Sequence, residues 1–134
     1  MTFARPEVFL SEEDHAALRR ALERLPAAHD GARLLAGELA RARVLPAERL
    51  PRDAVRLNSA VAFLDNEALE IGEAVVVLPE AARGPGLAAA TSPLGAALIG
   101  LRVGATMRWL SAREGPRAVT ITRVEPPPEP GRPA

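Results

Sequence analysis

A histidine beside an aspartate can relay a proton or hold a metal ion, and the sequence places one such pair, His29 and Asp30, between two helical patterns. A metal centre there would need further ligands, and no His, Asp or Glu cluster with ligand spacing surrounds the pair. The second histidine, His15, falls in the first turn of a predicted helix. A Ser–His–Asp arrangement would have no nucleophile elbow to present it. The glycine pattern "GLRVG", Gly100 to Gly104, lacks the G-x-x-x-x-G-K-[ST] frame of a phosphate loop, and the chain contains no lysine. Arg117 and Arg123 alternate with apolar residues near the C-terminus, as the solvated face of a strand does. These residues predict no catalytic group, no cofactor and no bound metal.

The composition narrows the field in the same direction. At 134 residues the chain suffices for one domain with a buried core. Its 17 basic and 17 acidic residues balance, so net charge favours neither nucleic acid nor a membrane surface. The absence of cysteine removes disulfides, thiolate metal sites and cysteine nucleophiles. Three Phe, one Trp and no Tyr leave little from which to build a base-stacking platform or an aromatic pocket. No segment approaches the ~20 apolar residues of a membrane span. The apolar stretch of "MTFARPEVFL" is too short for a secretory signal. A cytoplasmic monomer is the expectation.

The elements that would carry any site follow from periodicity. Residues 1–10 read as an N-terminal extension. A helix is predicted from Glu12 to Leu25, with Ser11 as its N-cap and Asp14 three residues on, close to a capping box. Leu18, Leu22 and Leu25 share a face of it. A second helix is predicted from Ala32 to Arg43, with Leu35, Leu39 and Ala42 as its stripe. The two form an antiparallel hairpin over residues 11–44, a short coiled coil in which each stripe seals the other. His29 and Asp30 lie at its tip.

Pro46 and Pro51 mark residues 45–54 as a linker. From Val55 the period becomes extended: Val55, Leu57, Val61 and Phe63 alternate, "DNEALEIGE" supplies a turn, and "AVVVL" continues as a central strand. After the loop "PEAARGPG" comes a short extended "LAAAT". In "SPLGAALIGLRVGATMRW", Ser92 to Trp109, Ser92 caps a two-turn helix with Pro93 at its first position. "RVGATMRWL" and "PRAVTITRV" then form a hairpin. The expected fold class is α+β: the helical hairpin, then a mostly antiparallel sheet domain with one short helix over 55–125. The last residues, 126–134, form a disordered Pro-rich tail.

In order and in local motifs, from Ser11 to Glu125, the chain resembles the bacterial regulator of nucleoside diphosphate kinase (Rnk) family, relatives of the Gre transcript cleavage factors. "SPLGAALIGLRVG" is similar to that family's serine/proline-start helix and following V-G turn. "LPRDAVRLNSAVAF" resembles its linker and first strand, with Asn58 and Ser59 on the "MNS" element, and "AVVVLPEAA" its "LVYP" strand and loop. Ala105 stands where relatives carry Asp, and Val77 where they carry an aromatic.

The resemblance implies an FKBP-like sheet domain and binding to RNA polymerase near the secondary channel. It implies that the start of the short helix, Ser92, Pro93 and Leu94, is part of the polymerase-docking surface. In the Gre relatives a long hairpin carries acidic tip residues that help hold a catalytic magnesium ion. Here the first helix has about 14 residues, an arm of roughly 21 Å, and the tip "PAAHDGA" carries one carboxylate, Asp30. The expectation is a non-enzymatic transcription regulator that competes with Gre-type factors at the channel entrance without cleaving the transcript. Two alternatives are a prolyl isomerase, suggested by the fold, and direct protein binding to nucleoside diphosphate kinase, suggested by the family name.

Overall fold

Ser11 starts the first helix as its type and position predict, its Oγ accepting the Asp14 N–H at 3.0 Å. The computed structural model describes residues 5–26 and 29–128. In order they form β1 (Phe9–Ser11), α1 (Glu12–Glu23), α2 (Asp30–Arg41) and β2 (Arg43–Leu45), then β3 (Ala60–Asp65), β4 (Glu70–Val77), β5 (Leu87–Ala89), α3 (Pro93–Leu98), β6 (Thr106–Ser111) and β7 (Gly115–Glu125). Single 3-10 turns occupy Ala47–Arg49 and Pro79–Ala81. None of the described helices is long and apolar enough to cross a membrane.

β3, β4, β6 and β7 are antiparallel neighbours in a five-stranded sheet of order β5-β4-β3-β7-β6, with β5 added in parallel beside β4. One face of the sheet is apolar because strand residues alternate. Val61 stands opposite Ala74 and Val124, and Phe63 opposite Gly72 and Ile121. α3 covers that face with Ala96, Ala97 and Leu98, all fully buried.

The segment read as an extension is part of the core. Val8 and Leu10 are buried to 1% exposure, β1 pairs in parallel with β2, and the Phe9 N–H donates to the Gly100 carbonyl at 2.9 Å. The signal was present as alternation in "VFL", but three residues are too few for periodicity to register.

The helix pair also differs from the expected coiled coil. The buried leucines of α1 and α2 (Leu18, Leu35 and Leu39) belong to the same hydrophobic core as Val55, Val76, Leu98 and Ile121. α2 meets α3 more extensively than it meets α1. The stripes therefore seal a shared core rather than only each other, and at 12 residues α1 is about 18 Å long.

Strand β3 begins at Ala60 rather than Val55. Asn58 has φ +73°, a left-handed conformation that an extended chain cannot pass through, and Asn tolerates it better than most residues. Ser59, fully buried, folds its Oγ onto the Arg56 N–H at 2.9 Å. In the other direction β4 starts at Glu70, inside the predicted turn. Glu70, Ile71 and Glu73 are exposed and Gly72 half-buried, so this end of the strand shows no apolar alternation. Of the tail, Pro126 and Pro128 line a groove on the far face of the sheet with Val75, Val77 and Leu87, and residues 129–134 lie outside the described residues.

Two carboxylates fasten the helices. Glu38 of α2 is fully buried and pairs directly with Arg41, whose guanidinium also donates to the Pro6 carbonyl, while Arg5 approaches Glu38 at 3.6 Å. Asp14 does not close a box on its own helix. Its Oδ2 accepts the Leu57 N–H at 3.0 Å, joining α1 to the turn before β3. Burial pushes the Asp14 carboxyl above its ordinary value, against the opposing pull of the Leu57 N–H and of Arg56. A raised folded pKa means that the native state holds more protons than the unfolded one between the two values, so this contribution is present in acid and is lost as pH rises through the folded pKa. Asp14→Asn keeps a carbonyl oxygen for the Leu57 N–H without the charge. In urea unfolding from pH 4 to 7, the wild-type chain should lose stability relative to Asp14→Asn as pH rises; a difference that stays flat or grows in favour of Asp14 would contradict the burial argument.

Candidate functional site

The motif "SPLG" is explained residue by residue. Ser92 Oγ accepts the Gly95 N–H at 3.1 Å and its hydroxyl donates to the Ala89 carbonyl at 2.6 Å. Pro93 takes the first helical position, where the missing N–H is not needed. Gly95 passes so close to β5 that a Cβ would lie 1.9 Å from the Ala89 oxygen. Leu94 is half-buried against the core. Of the three expected docking residues, Ser92 thus spends its hydroxyl within the fold and Leu94 part of its surface in packing. Pro93 is the one that faces a groove.

That groove, of about 260 Å³, runs between α2, the start of α3 and β6. α2 contributes Asp30, Arg33, Leu34 and Gly37. Strand β6 contributes the four consecutive residues Arg108 to Ser111, and Arg5 reaches in from the N-terminal segment. Two positions that the sequence singled out separately, Asp30 and Pro93, therefore line one depression. They meet because Gly31 lets the first turn of α2 touch the chain at Thr91 and Ser92: a Cβ on Gly31 would lie 1.9 Å from the Thr91 carbonyl oxygen.

Sequence reasoning missed the rest of this site. Trp109 is half-buried, and its indole Nε1 is shielded from solvent with no hydrogen-bond partner. It is the chain's only tryptophan, followed by Leu110, which is 78% exposed. An aromatic at that place in a chain nearly devoid of them was the available signal. Arg33 and Arg108 give no such signal, since they lie on separate elements, α2 and β6, and share only the lining of this groove.

The two histidines are structural. His29 caps α2, its Nδ1 accepting the Ala32 N–H at 3.2 Å, which requires the tautomer with the proton on Nε2. His15 lies with Nε2 3.2 Å from the Leu39 carbonyl, as a donor from α1 to α2. Asp30, beside His29, is exposed in the first turn of α2. Among the described residues no three His, Cys, Asp or Glu side chains gather to hold a metal ion. Arg117 does not sit on a purely solvated face: it bridges Asp65 at 2.6 Å and Glu114 at 2.9 Å. The Asp65 carboxyl is held below its ordinary value, first by the Ala68 N–H and then by the Glu67 N–H and Arg117, which together outweigh its desolvation. Arg123 stays exposed, 3.6 Å from Glu73.

The sequence profile described as transcription elongation factor, GreA/GreB, C-terminal, matches residues 50–126. That range holds Pro93 and β6 but not α2. Among solved structures, the prokaryotic transcription elongation factor GreA/GreB from Nitrosomonas europaea is similar at 30% identity and a TM-score of 0.70, over 90% of this chain and 98% of its own. The GreA factor homolog 1 (Gfh1) of Thermus thermophilus shares 22% identity at a TM-score of 0.44, over 90% of this chain and 99% of its own. Gfh1 of Thermus aquaticus shares 21% at 0.48, over 92% and 100%. A search of curated proteins gives no match.

The groove depends on the Gly31 contact, and that dependence is measurable. Alanine in a helix is favoured over glycine by about 1 kcal/mol, whereas forcing a methyl into packed backbone costs on the order of 3 kcal/mol. Gly31→Ala should therefore destabilise the chain by about 2 kcal/mol in urea unfolding. A stabilised variant would mean that α2 does not approach Thr91 this closely.

Proposed function

The chain belongs to the GreA/GreB transcription elongation factor family, and from that premise we propose that it is a non-enzymatic regulator of the Rnk type. It binds RNA polymerase near the secondary channel and competes there with Gre-type factors without stimulating transcript cleavage. The observation that carries this reading is the short helix pair whose far end is packed against α3, with Asp30 and Pro93 in one groove. An arm of 12-residue helices, about 18 Å long and folded onto the sheet, reaches far less deeply than a free long hairpin.

The residues at the helix link do not fit a metal-holding tip either. A second magnesium ion would want at least two converging oxygen ligands. The sequence between Leu25 and Ala32 offers Asp30 alone, and Glu38 is buried and paired with Arg41. No step of cleavage chemistry is assigned to this chain. In this reading the polymerase contact is the half-buried start of α3, with Pro93 at its centre and Ser92 and Leu94 shaping it.

The isomerase alternative rests on the FKBP-like sheet domain that the family resemblance implies, and on that alone. A fold does not confer an activity. The chain holds three Phe and one Trp; among the described residues Phe9 lies in β1, Phe63 is buried against Gly72 and Trp109 stands at the groove, so these aromatics do not gather into the walls of a proline pocket. Direct binding to nucleoside diphosphate kinase has no residue pattern in its favour, and an effect through transcription accounts for the family name equally well.

The test is a titration into stalled elongation complexes in the presence of a cognate Gre factor. Cleavage should fall as the protein is added, and the protein alone should cleave nothing. Pro93→Ala removes apolar contact surface worth about 1 kcal/mol and should weaken the competition on the order of fivefold. Cleavage that persists at saturating protein would remove polymerase competition from the account.

A further inference from the structure

The glycine pattern "GLRVG" forms no phosphate loop, but its first residue seats the N-terminal segment. Gly100 has φ +78°, and a Cβ there would lie 2.4 Å from Val8 Cγ1. Its carbonyl accepts the Phe9 N–H at 2.9 Å, and its own N–H donates to the Val55 carbonyl at 2.8 Å. The N-terminal segment, the end of the linker and the chain just after α3 therefore meet at one residue. A side chain at position 100 would be strained and in collision.

From Gly100 the segment reaches the helix pair. β1 pairs in parallel with β2, and the Arg43 N–H donates to the Val8 carbonyl at 2.8 Å. β1 leads directly into α1, and β2 follows α2 after Ala42, so this ladder ties together the two outer ends of the pair. Val8 and Leu10 plug the ladder into the core. The sheet has a cover of its own in α3, within residues 50–126, the range that the family profile matches.

The contact between the segment and α2 is of another kind. Arg41 donates to the Pro6 carbonyl and pairs with the fully buried Glu38, which Arg5 approaches at 3.6 Å. Among the described residues, Glu38 Oε1 and Arg41 Nε are shielded from solvent without a hydrogen-bond partner. A buried ion pair with such unmet atoms holds less firmly than an apolar contact of similar size, because both charges regain water when it opens.

We propose that residues 5–11 are a clasp. Seated on Gly100 and caught by Glu38 and Arg41, they hold the helix pair on the sheet, and the pair leaves the sheet only when the clasp lifts. The closed state is the fold described above. The open state frees β1, α1, α2 and β2 as one unit and keeps the sheet and α3 folded. The Glu38–Arg41 catch makes lifting easier than an apolar catch would. The clasp belongs to this chain alone and does not rest on the polymerase reading.

The experiment is native-state amide exchange of the full chain in low urea, comparing α2 with β7. Amides of α2 should exchange through an opening with weaker urea dependence than that of β7, since it exposes less surface. Three variants separate the parts. Val8→Ala should speed exchange in α2 at least about tenfold. Thr120→Ala removes the hydroxyl bonded to Thr106 at 2.7 Å and to Asn66 at 3.2 Å; it should speed exchange in β7 about fivefold and leave α2 unchanged. Glu38→Leu with Arg41→Met makes the catch apolar and should slow exchange in α2 about tenfold.

If Thr120→Ala speeds α2 as much as β7, the chain opens all at once and the clasp is overturned. Unchanged exchange of α2 in Val8→Ala overturns it equally, since the segment then holds nothing. Faster exchange of α2 in the double variant overturns the role given to Glu38 and Arg41.

Discussion

How closely α2 can approach the chain at Thr91 and Ser92 decides the geometry of everything that follows. With a side chain at position 31 the first turn of α2 would stand away from the start of α3, and Asp30 and Pro93 would belong to different surfaces. Gly95 has the same function one layer down, setting α3 against β5. Two close backbone approaches thus lock the helix pair, the short helix and the sheet together, and the buried leucines of α1 and α2 complete a core shared with Val55, Val76 and Ile121. Hydrophobic burial supplies the driving force, but it is non-directional. The glycines and the capping groups of Ser11, His29 and Ser92 select this arrangement from the many that would bury the same leucines.

Local chemistry was legible wherever one residue type determines one conformation. Ser11 and Ser92 as caps, Pro93 at the first helical position and the β6–β7 hairpin could all be read from types and order. What could not be read is where elements of marginal length go once formed. β1 has three residues, too short for a period, yet it buries Val8 and Leu10. The apolar stripes of α1 and α2 fit a self-sealing pair as well as a shared core, since a stripe states that a face is covered but not by what. The linker over 45–54 carries no apolar period, yet it ends in the buried Ala54. The positive φ of Asn58 is the kind of local exception that moves a strand boundary by several residues.

The candidate site divides along the same line. Asp30 and Pro93 were visible singly, one as the charged residue at a helix link and the other as part of a motif. Their proximity was not, because it is a property of packing across sixty residues of chain. Ser92, expected at a contact surface, has its hydroxyl engaged with Gly95 and Ala89, a structural part that its type as a cap made legible. Trp109, Arg33 and Arg108 acquire meaning only beside one another. The helix pair is short and packed into the shared core, and Asp30 is the one carboxylate in the sequence between Leu25 and Ala32.

The central claim is that the helix pair and the sheet form one body, which stays docked when the chain meets its partner. Because the chain has no cysteine, spin labels can be placed at Arg24→Cys and Glu67→Cys, two exposed positions outside the groove, without a background. The interlabel distance would be measured in the free chain and in the complex with RNA polymerase. The account predicts one distance, the same in both states. A bound-state distance changed on the order of 10 Å, about half the length of α1, would show that the helices swing out as an arm, and would contradict it.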